Sequence, residues 1–219
     1  MEKLVIVGAG YGFWETNELI RDINAVNPTY QVVGVLDDNK EFHGRIIDGV
    51  KVVGGLDRAS DYPDSKFVFC IGSKDTRDKR KALLDRIGLP RERYATLIHP
   101  NAKIYSSAKL GYGCTIHHGA IVYSHTECGD FVSLGANSIL GNDNRISDFV
   151  LIAGQSIIIN RVKVGEGAYI ASAVSVFDDV EIGKNAVVGM GTVLMKNVGE
   201  NEFAFGNPGR VMKNLEGRN

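Results

Sequence analysis

The chain has 219 residues, room for one large or two small domains. Lys and Arg total 25 against 26 Asp and Glu, a net charge of −1, so nothing electrostatic points to a nucleic acid or an anionic membrane surface. No apolar run approaches the roughly 20 residues of a membrane-crossing helix. Met1-Glu2-Lys3 leads into an apolar strand rather than a signal peptide, so a cytoplasmic location is expected. The three cysteines, Cys70, Cys114 and Cys128, are read as small buried hydrophobes in a reducing compartment.

Up to about residue 95 the pattern is β-α-β. Lys3 to Val7 is a short apolar strand, followed by the Gly-rich turn Gly8-Ala9-Gly10-Tyr11-Gly12. Trp14 to Ile23 reads as a helix, and Gln31 to Leu36 as a strand closed by Asp37-Asp38-Asn39. Lys66 to Ile71 is a further strand followed by Gly72-Ser73, and Asp75 to Ile87 a charged amphipathic helix. Alternating strands and helices predict a small parallel, Rossmann-like sheet. The Gly-rich turn can set backbone N–H groups and a helix N-terminus against a phosphate. A dinucleotide fingerprint is incomplete, because Phe13 stands where its third Gly belongs.

From Ile98 to Leu194 every sixth residue is aliphatic or small and apolar, without a break. A second column, four residues on, is mostly small: Ala102, Ala108, Cys114, Ala120, Thr126 and so to Thr192. Gly often follows the aliphatic position, as at Gly111, Gly129, Gly135, Gly141, Gly165, Gly183 and Gly189. Neither a period of 3.6 nor one of 2 explains this; a hexapeptide-repeat β-helix does. Each hexad gives one short strand and one corner, and three make a triangular coil. Residues eighteen apart therefore stack, roughly 4.8 Å apart. Gly is expected at corners that need φ > 0 or a close backbone approach. The organisation predicted is a Rossmann-like domain over 1–95, a β-helix over 96–198 and a C-terminal tail over 199–219.

The Gly-rich turn, Val33 to Asn39 (VGVLDDN), Ile71-Gly72, Ile98-His99-Pro100, the full repeat and the closing Gly206-Asn207-Pro208-Gly209 together carry a resemblance. The chain resembles the bacterial sugar O-/N-acyltransferases of the sialic-acid O-acetyltransferase type. That group includes enzymes that N-acetylate nucleotide-linked 4-amino sugars for cell-surface glycans such as lipopolysaccharide O-antigen. The resemblance implies a left-handed winding, which the period does not give. It implies a homotrimer with acetyl-CoA, or another acyl-CoA, as co-substrate between adjacent β-helices, and no metal. It assigns nucleotide-sugar binding to Gly8, Gly10, Tyr11, Gly12, Asp37, Asp38, Asn39, Gly72, Ser73 and Arg77. The acyl carrier would pass Ala171, Gly189 and Gly191, with Arg210 and Lys213 near its phosphates.

The chain departs from the family at one place. Members carry a catalytic His as Glu-His-Asp or Gly-His-Asp before an Ile-Gly-Asp corner, and the matching stretch here is Gly141-Asn142-Asp143-Asn144-Arg145-Ile146-Ser147-Asp148. Asn142 cannot act as a general base; it can only donate and accept hydrogen bonds. Stacking offers His125, eighteen residues before Asp143, as a base oriented by that carboxylate. A second route needs no base: a neutral, desolvated amine attacks unaided, where a hydroxyl gains little. The oxyanion would meet a backbone N–H at or near Asn160, one coil below Asn142. The loss of His thus favours N-acylation over O-acylation. Two rivals remain. A three-His zinc enzyme would draw on His99, His117, His118 and His125, at poor spacing. A non-catalytic trimeric binding protein would bind ligand without turnover.

Overall fold

The computed structural model describes residues 1–72, Thr76 and 79–214. The chain divides between Pro100 and Asn101 into two compact units, rather than at 95/96.

The first unit is a five-stranded sheet. Its inner strand β1 (Glu2–Val7), between β2 and β5, is buried on both faces, with Leu4 to Val7 fully inaccessible. That is why its sequence is a continuous apolar run. Helix α1 (Tyr11–Val26) follows, then β2 (Tyr30–Leu36), the hairpin β3 (Ile46–Ile47) and β4 (Val50–Gly54), β5 (Lys66–Phe69) and helix α2 (Arg80–Ile87). The order is β3-β4-β2-β1-β5, parallel except for β3. Helix α1 buries Phe13, Thr16, Asn17 and Ile20, the one-face spacing of an amphipathic helix. It starts three residues before the predicted Trp14, because the Gly-rich turn runs into its first turn. The hairpin was not anticipated, although Asp48-Gly49 is a strong signal for one. Both residues have positive φ, 48° and 81°, as a two-residue type I′ turn requires. Helix α2 begins at Arg80 among the described residues and ends on Gly88, at φ 68°.

The second unit is a prism of two-residue strands. Each pairs in parallel with the strand eighteen residues on, as Ile121 with Ile139 and Ile139 with Ile157. Its core is the predicted aliphatic column, fully or nearly buried from Ile116 to Leu194, together with the small column. Ile104 and Leu110, in the first coils, are only partly buried, and Ile98 belongs to the first unit and is 39% exposed. The predicted tail is folded. Glu202–Phe205 pairs in parallel with Val187 and Val188, and Arg210–Asn214 returns antiparallel to it.

The glycines following the aliphatic column are required by close approach and not by positive φ. A Cβ on Gly141 would lie 2.2 Å from the Ile159 carbonyl oxygen, and one on Gly135 2.5 Å from the Gly154 nitrogen. Positive φ falls two residues further on, at every sixth residue from Gly113 to Gly191, and mostly on side-chain-bearing residues such as His125, Phe131, Asp143 and Arg161. Such a residue costs about 1–2 kcal/mol in isolation. Here its N–H is held by the coil before: Asp143 donates to the Ser124 carbonyl at 3.1 Å and Arg161 to that of Asn142 at 3.0 Å.

Candidate functional site

In the first unit the strand order reverses at β1. The carboxyl ends of β1, β2 and β5 meet there, the place where open α/β sheets take ligands. Gly8 turns the chain at φ 111°, and a Cβ there would lie 2.7 Å from Ile71. Gly12 sits so close to β5 that a Cβ would be 2.1 Å from the Cys70 carbonyl oxygen. Asp37 fastens the turn, accepting from Ala9 N–H at 2.7 Å and Asn39 N–H at 2.8 Å. Asp38 accepts from Leu56 N–H at 3.1 Å and pairs with Arg86. The two carboxylates therefore shape the loops in addition to any part in binding. Asn39 caps a short turn through Glu41 N–H. Gly10, Tyr11 and Gly72 are exposed, Tyr11 to 95%. Gly10 caps α1 without a side-chain bond, and of the first-turn N–H groups that of Phe13 is given to the Gly10 carbonyl at 3.0 Å. Ser73 and Arg77 lie outside the described residues.

In the second unit the candidate corner is a ladder of amides. Asn142 donates its backbone N–H to Asn160 Oδ1 at 2.8 Å and its Nδ2 to the same oxygen at 3.2 Å. Asn160 repeats this one coil down, its backbone N–H and Nδ2 each 3.0 Å from Asp178 Oδ1. The chemistry of these groups fixes the amide orientations. A carboxylate only accepts and a backbone N–H only donates, so Asn160 turns its oxygen up and its nitrogen down. Asn142 must then offer nitrogen to Asn160, which leaves its Oδ1 unbonded among the described residues.

Two expectations are corrected here. The Asn160 N–H is already given to Asp178, so it cannot serve as an oxyanion donor without breaking the ladder. His125 and Asp143 do occupy successive equivalent corners, at φ 61° and 59°, but among the described residues their side chains share no hydrogen bond. Both are exposed. Arg145 holds the His125 carbonyl at 2.8 Å. Arg161, one coil below Asp143, is bound to Asp179 through two hydrogen bonds that lower the Asp179 pKa below the usual carboxylate range. The corner is thus an acceptor-bearing amide flanked by charged groups, with no oriented base among the described residues.

Buried polar residues of the small column fix this corner from inside. Asn144, fully buried, donates Nδ2 to the carbonyls of Gly141 (3.1 Å) and Ile159 (2.9 Å), and its Oδ1 accepts from Val162 N–H at 2.8 Å. Thr126 donates to the same Gly141 carbonyl at 2.5 Å. Sequence reading missed Asp178, Thr126 and Asn144 as members of the site. The eighteen-residue spacing of Asn142, Asn160 and Asp178, all amide or acid, was the signal that could have found the first.

Of the carrier residues, Gly189 is covered. A Cβ there would lie 2.6 Å from Phe205, and its N–H donates to Ala204 of the C-terminal strand. The unforeseen fold of the tail is the reason. Ala171 is 8% exposed, Gly191 is open, and Arg210 is exposed on the last strand. The side chain of Lys213 lies outside the described residues. Among the described residues, no group of three His, Cys, Asp or Glu side chains is placed to hold a metal.

A Gly-rich switch-point turn in front of a hexapeptide β-helix defines a class of two-domain proteins. Residues 3–82 match the family model of the PglD N-terminal domain. The chain is 33% identical over 118 residues to UDP-N-acetylbacillosamine N-acetyltransferase of Bacillus subtilis (strain 168); the match takes in 52% of this chain and spans about half, 50%, of the length of that curated relative. Two solved structures share the fold across their whole length. One is a His-to-Asn variant of perosamine N-acetyltransferase from Caulobacter crescentus, in complex with CoA and GDP-perosamine (TM-score 0.83, 24% identity, 98% of each chain). The other is the acetyltransferase domain of PglB from Neisseria gonorrhoeae FA1090 with acetyl coenzyme A (TM-score 0.84, 22% identity, 96% of this chain and 99% of that one). At these identities the likeness establishes the fold, a parallel-sheet domain followed by a left-handed β-helix, and the resemblance read from the sequence holds at that level.

Proposed function

We propose that this protein transfers an acetyl group from acetyl-CoA to the amine of a nucleotide-linked amino-deoxy sugar destined for a cell-surface glycan. The observation that carries the reading is the unbonded Oδ1 of Asn142, presented where the family carries a His. An acceptor oxygen can take an amine N–H and aim the nitrogen lone pair at the thioester carbonyl, yet it cannot strip a hydroxyl. The nitrogen adds, the C–S bond breaks, and the CoA sulfur leaves as thiolate. The surplus amine proton goes to that thiolate or to water. The second hydrogen of Asn142 Nδ2, and not the Asn160 backbone, is the donor within this corner that can face the carbonyl oxygen. The names of the curated relative and of the perosamine enzyme, with the ligands CoA and GDP-perosamine in the latter, support the substrate classes. We assign the nucleotide to the Gly8–Gly12 turn and the loop at Asp37–Asn39, with Gly72, Ser73 and Arg77, and the carrier to the coils near Ala171, Gly191, Arg210 and Lys213.

A homotrimer fits the surface of the prism. One face is charged, with Lys109 paired to Glu127 and Lys163 to Glu181. Another presents Ile121, Ile139 and Ile157 beside Tyr123, Ile159, Phe177 and Met195; Ile157, Phe177 and Met195 are 43 to 50% exposed. An apolar stripe of that length calls for cover. Gly141 and Asn142 directly follow its Ile139–Leu140 strand, so copies of the chain meeting there would place the corner at their seam. The cytoplasm, where acyl-CoA is supplied, is the proposed location.

The test is thiol release from acetyl-CoA with a panel of UDP-, dTDP- and GDP-linked amino sugars, the matching hydroxy sugars serving as controls. Release with an amino sugar alone supports the reading. Release with the hydroxy sugars would favour an O-acyltransferase using His125. CoA binding without release from any acceptor would favour a non-catalytic binding protein.

A further inference from the structure

Asp178 has no place in the resemblance and no contact with Asn142, yet the geometry points to it as a positioning residue for the reaction; this inference rests on the acyl-transfer reading of Asn142. The Asp178 carboxylate takes both hydrogen-bond donors of Asn160 on one oxygen, each at 3.0 Å. It thereby locks the Asn160 side chain in the rotamer that turns Oδ1 upward. That oxygen in turn takes both donors of Asn142, at 2.8 and 3.2 Å. Each step uses one oxygen to hold the backbone and the side-chain amide of the residue above. The chain of three therefore transmits a fixed acceptor from an exposed carboxylate, two coils away, to the orientation of the Asn142 carboxamide. Without Asp178, the Asn142 N–H still attracts Asn160 Oδ1, but Asn160 loses both bonds below and regains its rotamer freedom. The Asn142 oxygen then no longer has one direction.

The backbone half of this device recurs at another corner, without the side-chain amide. Tyr112 N–H is held by Asp130 Oδ1 at 2.8 Å, and Asp130 N–H by Asp148 Oδ1 at 2.9 Å. Asp148 is therefore an internal control for the backbone hydrogen bond of such a corner, apart from any side-chain amide.

The experiment compares Asp178→Ala, Asp178→Asn and Asp148→Ala for kcat, KM for acetyl-CoA and melting temperature, using the acceptor that the unmodified protein acetylates. Asp178→Ala is expected to lower kcat roughly tenfold, since small misplacements of a reacting group carry large rate costs, with KM for acetyl-CoA unchanged. Asp178→Asn keeps an acceptor oxygen and should restore most of the rate. Asp148→Ala should melt as Asp178→Ala does and keep its kcat. Equal kcat in the two Ala variants, an effect confined to KM, or no rescue by Asn would each overturn the inference while leaving acyl transfer intact. Absence of turnover by the unmodified protein with every acceptor would overturn both.

Discussion

Asn144→Val is the substitution whose cost is best defined by the structure. Val fills the same column at Val132, Val150 and Val162, so shape and β-propensity are not at issue. What is lost is a carboxamide with three side-chain hydrogen bonds. The Gly141 carbonyl keeps the Thr126 hydroxyl, while the Ile159 carbonyl and the buried Val162 N–H lose the Asn144 bonds that hold them. A buried group left unsatisfied costs about 1–3 kcal/mol. Ile159 is partly exposed as a residue and Val162 fully buried, so the Ile159 carbonyl is assigned the low end, and the added apolar burial offsets part of the sum. A net destabilisation of about 2–4 kcal/mol follows from these ranges. For a chain of this size that is a fall in melting temperature of roughly 5–15 °C. Urea unfolding followed by circular dichroism measures it, with Ser138→Ala alongside, which removes two bonds in the same column, a donation to the Ala153 carbonyl and an acceptance from the Ser156 N–H. A loss below about 0.5 kcal/mol for Asn144→Val, within the range of ordinary surface changes, would show that the buried amide is not what holds this corner.

Asn142→Ala should lower kcat about two- to twelvefold, the worth of one neutral hydrogen bond in the transition state; unchanged turnover in the thiol assay would remove Asn142 from the mechanism. Asn142→His supplies the base that is missing, and should extend acceptance to hydroxy sugars with a rate that falls as pH drops through about 6.5; failure to gain the hydroxyl reaction would mean that the corner cannot orient an imidazole. Partial burial works to raise the Asp38 pKa, but the Arg86 pair and the Leu56 N–H outweigh it and hold the carboxyl below its ordinary value. Its stabilising effect is then complete above about pH 4 and is lost as pH falls through the lowered folded value. The stability gap between the native chain and Asp38→Asn should accordingly close below pH 4 in acid unfolding curves, and a gap that persisted at pH 2 would contradict the ion pair. Gly12→Ala drives a methyl into the Cys70 carbonyl and should cost about 1–3 kcal/mol, read as early unfolding of the first unit by hydrogen exchange.

The β-helix was legible because its physics is local and repeated. A stacked coil constrains the same positions of each hexad, so one column gives the pairing of Ile121 with Ile139 and of every pair below it. What carried positive φ was not legible. Gly is conspicuous in the sequence where backbones approach closely, whereas the left-handed corners accept His125, Phe131 or Arg161 once the preceding coil holds their N–H groups. The tail escaped because Glu202–Phe205 leaves the hexad register and alternates as an ordinary strand, with Phe203 and Phe205 side by side. In the first unit, β4 was hidden by its length and by the Gly54-Gly55 pair that ends it.

The site itself was half legible, and the reason lies in what stacking does and does not determine. The eighteen-residue rule places Asn142 over Asn160 and His125 over Asp143 with equal certainty. It says nothing of where the side chains point. At the Asn142 corner the side chains bend back along the stack, because each finds a backbone N–H one coil above that lacks another partner. At the His125 corner the backbone N–H groups are already taken, that of His125 by Ser107 Oγ and that of Asp143 by the Ser124 carbonyl, so the side chains are released to solvent and do not meet. At Asp130 and Asp148 carboxylates hold the backbone N–H one coil above in the same way. A repeat that must satisfy its corner amides therefore already contains a column of fixed, uniformly oriented acceptors. At Asn142 that column ends in an oxygen with nothing left to bind within the described chain, and that free valence is where a structural device becomes available to a substrate amine.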